Sequence, residues 1–304
     1  MNIVGSKWMF RIKWKVDGYV ECYKARLVTK GFLQQPGVDF SETYSPVIKP
    51  ITIRTVLSMA ITTGWCIKHI DTSNAFLHGY LQETVYMSQP SGFLHPNFLD
   101  VVCHLKTAIY GLKQVPHAWY SRLSSRLQEL GFLGYKSNHS LFIFTTASVK
   151  IFALVYVDDI ILIGSSAAAV NSLIKTLSID FPVKDLGSLN FFSGIEVNHV
   201  AASMILTQQH YITDILSHTN MSFVKPITSL MFAATPLNKF SDSKFSDPTL
   251  YRQTVGSLQY LSLTQPNIEF AVSKVFQFMQ EPRNVHWIAV KGILTLNQQL
   301  IIDY

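Results

Sequence analysis

The chain begins with alternating apolar and cationic residues and carries long apolar runs farther along. Over residues 7–30 the alternation has a period of two, and Asp17-Gly18 interrupts it. A period of two indicates β-strands, and Asp-Gly is a preferred two-residue hairpin turn. These residues are therefore predicted to form a hairpin. One of its faces would carry the cations Lys7, Arg11, Lys13, Lys15, Lys24, Arg26 and Lys30.

Apolar spacing separates helices from strands in the rest of the chain. Recurrence every three to four residues predicts helices at 49–65, after Pro116, at 167–181 and through most of the tail from 248. Short apolar runs predict strands that end at Asp71 and that cover 140–144, 150–156 and 159–165. Because a hairpin, rather than a helical crossover, joins the last two of these strands, we expect an α+β fold with an antiparallel sheet.

Composition and charge narrow the class of protein. Of the 304 residues, 48% are hydrophobic and 14% are charged, which excludes a disordered chain. Lys and Arg exceed Asp and Glu by 25 − 19 = 6, an excess that suits an anionic partner without requiring one. Three cysteines without paired spacing argue against a zinc site or a disulfide framework. With no signal peptide and no apolar span of membrane length, we expect a soluble intracellular protein.

The stretch "IFALVYVDDIILIGS" places Asp158 and Asp159 between two apolar runs rich in β-branched residues. Aspartate is a common turn residue, so a solvated hairpin tip is one interpretation. Val157 is a poor turn former, however, and the runs are apolar on both faces, which predicts buried strands. Two neighbouring carboxylates in such a place repel each other and call for divalent cations. Mg²⁺ prefers carboxylates together with substrate phosphates.

A third carboxylate is expected in "IKHIDTSNAF", where Asp71 follows a short apolar segment and would lie at a strand end. Three aspartates holding two metal ions about 3.5–4 Å apart could clamp the attacking and leaving oxygens of a phosphoryl displacement. From these residues alone, a polymerase, a cyclase and a phosphohydrolase all remain open.

The sequence around these aspartates resembles that of a known family. "YVDD" at 156–159, between apolar strands, is similar to the catalytic hairpin of reverse transcriptases. Six blocks in the same order resemble the polymerase segment of copia-type LTR retrotransposon polyproteins. They are "YKARLVTKGFLQQPGVDFSETYSPV", "IDTSNAFLHGYLQETVYMSQPSGF", "AIYGLKQVPHAWY", "LVYVDDIILIGS", "KDLGSLNFFSGIEV" and "DPTLYRQTVGSLQYLSLTQPNIEFAV".

The resemblance implies a right-hand polymerase fold and an RNA-directed DNA polymerase activity. Its domains would be fingers at 1–49 and 79–115, a palm with an antiparallel sheet and the YVDD hairpin at 50–78 and 116–200, a thumb-like region at 201–245, and a truncated connection region at 246–304. The implied cofactor is a pair of Mg²⁺ ions, with Mn²⁺ as an alternative. The implied partners are an RNA/DNA template-primer and deoxynucleoside triphosphates, with no membrane, in a cytoplasmic retroelement particle. The oligomeric state stays open.

The resemblance also implies roles for single residues. Asp71, Asp158 and Asp159 would be the catalytic residues and metal ligands. Residues that would bind the nucleotide are Lys24, Arg26, Lys30, Phe76 under the sugar, and Gly111 at a close approach to template and base. Phe191, Phe192 and Gly194 would grip the primer. Gln114 and Trp119 are interpreted as structural residues. The histidines without partners at metal-ligand spacing are interpreted as ordinary, with no role in a site: His69, His78, His104 and His117.

Departures from the family pattern keep a second hypothesis open. The family commonly has leucine at the place of Ser193, arginine at Gln265 and aspartate at Asn267. The stretch "KGILTLNQQLIIDY" also differs from the continuation toward RNase H that the family pattern leads us to expect. The alternative is therefore a catalytically inactive retroelement remnant with at most non-specific binding of nucleic acid. The six blocks argue against the cyclase and the phosphohydrolase.

Overall fold

The six blocks fall in two structural units of the chain. The structure is a computed structural model, and it describes residues 2–15, 17–135, 138–200, 203–222, 224, 237–238 and 242–302. The units comprise residues 1–189 and 190–304. In the first unit the strands are β1 (Ile3–Val4), β2 (Ser6–Trp14), β3 (Val20–Thr29), β4 (Cys66–Thr72), β5 (Tyr80–Ser88), β6 (Val102–Thr107), β7 (Leu133–Tyr135), β8 (Asn138–Thr145), β9 (Lys150–Tyr156), β10 (Asp159–Gly164) and β11 (Val183–Gly187). Its helices are α1 (Pro50–Thr63), α2 (Val115–Glu129) and α3 (Ala167–Asp180).

The predicted N-terminal hairpin is present as the two-stranded ribbon β2–β3, which turns at Gly18 with φ of 83°. Its cross-strand register puts Lys7, Arg11, Lys13, Lys24 and Arg26 on one face, as the alternation predicted. The apolar face is not covered, since Phe10 is 78% exposed and Tyr23 is 77% exposed. At the base of the ribbon, the indole N–H of Trp8 donates to the Ser91 carbonyl at 2.9 Å.

The predicted antiparallel sheet is confirmed. Its six strands follow the order β11-β4-β10-β9-β8-β7, and every neighbouring pair is antiparallel. Every residue of β10 after Asp159 is buried, which explains why its sequence is apolar on both faces. Helices α2 and α3 pack on one face of the sheet, where Leu123, Leu127 and Leu177 join the core around Ile160.

The ends of the helices follow the signals in the sequence. Gly64 closes α1 with φ of 67°, a left-handed conformation that glycine adopts without a steric penalty. Pro116 lies in the first turn of α2, where its missing N–H costs no helical hydrogen bond. The hydroxyl of Ser166 caps α3 by accepting from the Ala169 N–H. These signals explain why the helix predictions were accurate.

The second unit has a small sheet and helices around a separate core. Its strands are β12 (Phe191–Phe192), β13 (Ile195–Val200) and β14 (Ser203–Thr207), and its helices are α4 (Gln209–His218), α5 (Pro248–Leu261), α6 (Glu269–Phe276) and α7 (Asn284–Ile302). The helical tail is thus confirmed. Part of the predicted thumb-like region at 201–245 lies outside the described residues. In the part of the chain that is described, no helix combines the length and the apolarity needed to cross a bilayer.

Candidate active site

Three aspartates meet at one end of the six-stranded sheet. Asp71 lies near the end of β4 and Asp159 begins β10, and the two residues are direct partners in the antiparallel register. Asp158 lies in the two-residue turn between β9 and β10, because Tyr156 pairs with Asp159. The Thr72 N–H donates to the Asp158 carbonyl at 2.9 Å and ties the turn to β4. Pairing of β4 with β10 therefore gathers carboxylates that lie far apart in the sequence.

The turn at Val157-Asp158 has an unusual backbone. Val157 has φ of 58°, while Asp158 is not among the residues with positive φ. Positive φ at the first central residue alone matches a type II′ turn, which normally has glycine there. A β-branched residue in this region is sterically disfavoured. The indole N–H of Trp119 donates to the Val157 carbonyl at 2.6 Å and holds the turn from α2.

Trp119 therefore does more than the sequence indicated. Its interpretation as a core residue is correct, since it is 1% exposed. The hydrogen bond from its indole to the acidic turn was not predicted, because apolar spacing on a helix reports burial and gives no partner for a ring N–H.

The electrostatics of Asp158 reflect its neighbours. Burial raises the pKa of the Asp158 carboxyl, and the negative charges of Asp159 and Asp71 raise it further, whereas a backbone hydrogen bond lowers it. The strands are buried as predicted, whereas Asp158 belongs to the exposed residues and the Asp159 side chain is 29% exposed. Carboxylates at the open end of a buried sheet stay accessible to a ligand.

His69 is bonded to the acidic cluster, which corrects its interpretation as an ordinary histidine. Its Nε2 lies 2.9 Å from Oδ1 of Asp159, and its side chain is 8% exposed. A carboxylate accepts, so the ring donates when its proton is on Nε2. The sequence held one signal for this contact: His69 precedes Asp71 by two residues and so shares its face of β4.

Lys184 is a second residue that the sequence analysis missed. It is the register partner of Asp71 on the other side of β4, in strand β11. Its side chain is exposed. No local pattern could have found it, because only the pairing of β11 with β4 brings this cation beside the carboxylates.

The acidic cluster suits a metal ion that is shared with a substrate. Among the described residues, no group of three or more histidine, cysteine, aspartate or glutamate side chains is arranged to hold a metal ion. Mg²⁺ is seldom enclosed by protein alone and usually binds one or two carboxylates, waters and substrate phosphates. Burial, and then the negative charges of Asp159 and Asp71, raise the pKa of Asp158. Hard oxygen donors with excess negative charge fit Mg²⁺ or Mn²⁺.

Arg26 and Phe76, two of the residues expected to bind the nucleotide, both lie beside Tyr110. The guanidinium of Arg26 is 5.5 Å from the centre of the Tyr110 ring, and that ring meets Phe76 edge-on at 5.7 Å. Phe76 is half-buried and packs against two parts of the core. Lys24 pairs with Arg11 across the ribbon, and Lys30 follows β3 and is exposed.

The backbone around Gly111 gives this residue a structural reason to be glycine. Its φ is 98°, and a Cβ atom there would lie 2.2 Å from the Thr29 carbonyl oxygen. Gly31 lies on the other side of this junction, where an added Cβ would be 1.9 Å from the Gly111 carbonyl oxygen. The Thr29 N–H donates to the Tyr110 carbonyl at 2.7 Å. The end of β3 and its continuation thus lie close to Gly111. Its approach to template and base stays a prediction.

The residues expected to grip the primer belong to the second unit. Ser193 and Gly194 form the turn between β12 and β13 with φ of 46° and 73°. Two positive φ values match a type I′ hairpin turn. Phe191 is 55% exposed, whereas Phe192 is 2% exposed. Contact of these rings with a primer stays a prediction. The Tyr260 hydroxyl of α5 donates to the Ser193 carbonyl and fixes this turn.

Comparison with known proteins identifies the family. A sequence model described as "Reverse transcriptase (RNA-dependent DNA polymerase)" matches residues 1–233. The chain belongs to the reverse transcriptase family. The Pol polyprotein from transposon RE1 of Arabidopsis thaliana is 45% identical over 97% of this chain and 20% of its own length. The polyprotein from transposon TNT 1-94 of Nicotiana tabacum is 35% identical over 95% of this chain and 22% of its own length.

These matches confirm the resemblance to copia-type retrotransposon Pol polyproteins. The putative transposon Ty5-1 protein of Saccharomyces cerevisiae is also similar, at 29% identity over 74% of each chain. This reverse transcriptase chain spans about one fifth of the length of the two plant polyproteins.

Proposed function

We propose that this reverse transcriptase chain is an RNA-directed DNA polymerase that adds deoxynucleotides to the 3′-hydroxyl of a primer on an RNA/DNA template. The observation that carries the proposal is the meeting of Asp71, Asp158 and Asp159 at the end of β4 and β10. Membership of the reverse transcriptase family supports nucleotidyl transfer over the other phosphoryl reactions that an acidic cluster could serve.

In this proposal Asp71 and Asp158 hold two Mg²⁺ ions, or Mn²⁺, and Asp159 supports the cluster. When bound, the ions would neutralise charge on the reacting phosphate and on the primer oxygen. The three carboxylates orient the ions and are themselves oriented by the protein. The Thr72 N–H fixes the turn that carries Asp158, and His69 fixes one oxygen of Asp159.

The nucleotide would be bound by cations on the ribbon and by the aromatic pair beside them. Lys24, Arg26 and Lys30 supply positive charge for the triphosphate. Arg26 already lies beside Tyr110, and Tyr110 lies beside Phe76, which is the residue proposed to lie under the sugar. There an aromatic ring would collide with a ribose 2′-hydroxyl and so favour deoxynucleotides. In the right-hand arrangement the ribbon belongs to the fingers and the six-stranded sheet to the palm.

The template-primer would be held mainly through its phosphates. The excess of cations in the chain favours a nucleic-acid backbone, and such binding weakens as salt is raised. Phe191 lies beside the Ser193-Gly194 turn. It is the exposed aromatic residue of the predicted primer grip and would contact the primer.

Primer extension on poly(rA)/oligo(dT) with Mg²⁺ and dTTP tests the proposal. We expect extension by the parent chain and none by Asp158→Asn, although both should bind the hybrid in a salt-dependent way. A folded parent chain that binds the hybrid but never extends the primer would instead support the inactive remnant. Cleavage of a phosphodiester without any primer would support a hydrolase.

A further inference from the structure

The turn that carries Asp158 depends on bonds from other elements. Val157 occupies the position that a type II′ turn reserves for glycine, with φ of 58°. A β-branched side chain in this region is an outlier that persists only when the surroundings over-determine it. Left to itself, the turn would relax toward negative φ. Something outside the hairpin must therefore hold it.

Two donors from separate elements perform this task. The Trp119 indole N–H of α2 bonds to the Val157 carbonyl at 2.6 Å. The Thr72 N–H of β4 bonds to the Asp158 carbonyl at 2.9 Å. Each carbonyl of the two-residue turn thus has one external donor. Because Thr72 follows Asp71, its bond also links the two strands that carry the acidic cluster.

The indole donor is itself held in place by its packing. Trp119 is 1% exposed. Its ring meets Phe181 edge-on, with centroids 5.2 Å apart and planes at 84°, and lies 6.3 Å from the His78 ring. Phe181 follows directly on α3. A ring enclosed in this way cannot follow the turn if the turn moves, so it acts as a fixed point.

We propose that Trp119 is a positioning residue, whose indole N–H keeps the strained Val157 turn in the conformation that presents the Asp158 carboxylate beside Asp71. The inference rests on the proposed function only in that it treats Asp158 as catalytic. The bond between Trp119 and the turn is independent of that role. Loss of the N–H would leave the Val157 carbonyl without its partner and allow the strained φ to relax.

The Thr72 amide provides a readout that does not need catalysis. If the turn relaxes, the Asp158 carbonyl moves away from the Thr72 N–H, and this amide exchanges faster with solvent deuterium. The substitution Trp119→Phe keeps an aromatic ring and removes the donor. Trp65→Phe is the matched control, because Trp65 is another tryptophan of the first unit and stacks on Phe152, 5.9 Å away.

A double-mutant cycle separates positioning from simple packing. In the Val157→Gly background the left-handed φ carries no side-chain strain, so the turn should no longer need the indole. We expect Trp119→Phe to lower the protection of the Thr72 amide by about tenfold, and to lower it much less when Val157→Gly is also present. Trp65→Phe should leave that amide as protected as in the parent chain.

Two results would overturn the inference. One is unchanged Thr72 protection in Trp119→Phe. The other is an equal loss in both backgrounds, since equal losses mean that the indole does not act on the strain. In primer extension, Trp119→Phe should lower kcat more than it changes KM, and should lower kcat less in the Val157→Gly background. If the exchange results appear as expected in a chain that never extends a primer, Trp119 holds the turn and the proposed function is wrong.

Discussion

Asp158 is the residue at which stability and the proposed function oppose each other. Its pKa is raised by burial and by the charges of Asp159 and Asp71, so its ionised form is less favourable in the folded chain than in the unfolded one. Below the ordinary aspartate pKa of about 3.9 both states hold the proton and the cost is absent. As the pH rises past the raised pKa, Asp158 is ionised in the folded chain as well, and the full destabilisation from its charge is present. Solvent screens part of it, because the residue is exposed.

We therefore expect Asp158→Asn, in the presence of EDTA, to raise the melting temperature of the first unit at pH 7.5 by about 1–2 °C. The gain should shrink as the pH is lowered toward 4.5. Thermal melts followed by circular dichroism measure both effects. Asp100→Asn is the control, since Asp100 is an exposed aspartate of the same unit outside the cluster. A melting temperature for Asp158→Asn below that of the parent at pH 7.5 would refute this account.

His69 contributes through the carboxylate that it touches. Replacing it with leucine removes the donor to Asp159, while glutamine keeps an N–H that can donate. We expect His69→Leu to lower kcat for primer extension by about tenfold with little change in KM for the nucleotide, and His69→Gln to recover part of the loss. Steady-state kinetics give both constants. Equal kcat values for the leucine and glutamine variants would show that the bond to Asp159 has no role.

Phe76 tests the selection of the sugar. Phe76→Ala should allow ribonucleotides to be incorporated more readily, because the proposed collision with the 2′-hydroxyl would be gone. The measurement is the ratio of kcat/KM for dTTP to that for UTP. An unchanged ratio in a folded variant would assign the ring to the core and to its contact with Tyr110 alone.

At the scale of single residues, the sequence was sufficient to find the three aspartates and insufficient to find the side chains and backbone groups that contact them and their turn. The three aspartates were found because placing carboxylates beside apolar runs costs free energy, which indicates a functional role. His69, Lys184 and the indole of Trp119 were missed, since each acts through a neighbour that only strand pairing or helix packing supplies. Gly111 was expected at a close approach, and the structure adds the Thr29 backbone as a near neighbour that the sequence did not indicate.

Among the elements, the junction at Gly111 joins the ribbon to the rest of the first unit. An alanine there would combine a left-handed backbone with a Cβ atom 2.2 Å from the Thr29 carbonyl oxygen. Gly37 has φ of 76° with open space around an added Cβ, so Gly37→Ala carries the backbone penalty alone. We expect Gly111→Ala to lower the free energy of unfolding by about 3 kcal/mol or more, and Gly37→Ala by about 1 kcal/mol.

Chemical denaturation of the two variants measures this difference. Equal losses would mean that the backbone at Gly111 yields to the added methyl group, and that the ribbon is not tightly joined there. A loss confined to Gly111→Ala would show that the end of β3 fixes the ribbon beside Tyr110 and hence beside Phe76.

Elements were the most predictable level of this fold. The Asp17-Gly18 turn, the closing Gly64 and the early Pro116 are local signals that act within a few residues, and each element they bound is present. Strand order was not predictable in the same way. The place of β4 between β10 and β11 depends on contacts between distant segments, which period and turn chemistry do not encode.

For the molecule as a whole, family membership and the acidic cluster are independent arguments that agree. The family rests on similarity along most of the chain, whereas the cluster rests on the register of two strands. Exposed apolar residues on the ribbon, such as Phe10 and Tyr23, were not expected from its amphipathic pattern. Alternation predicts which residues share a face and leaves open whether that face is covered.

The central claim is that Asp71 and Asp158 carry the chemistry. Single-nucleotide incorporation under single-turnover conditions tests it most directly, with a template-primer saturated by enzyme and with Asp71→Asn, Asp158→Asn and Asp100→Asn beside the parent chain. All four chains should bind the hybrid equally. Incorporation should persist in the parent and in Asp100→Asn, and fall by about 10³-fold or more in the other two. Incorporation at the parental rate by Asp71→Asn or Asp158→Asn would contradict the claim.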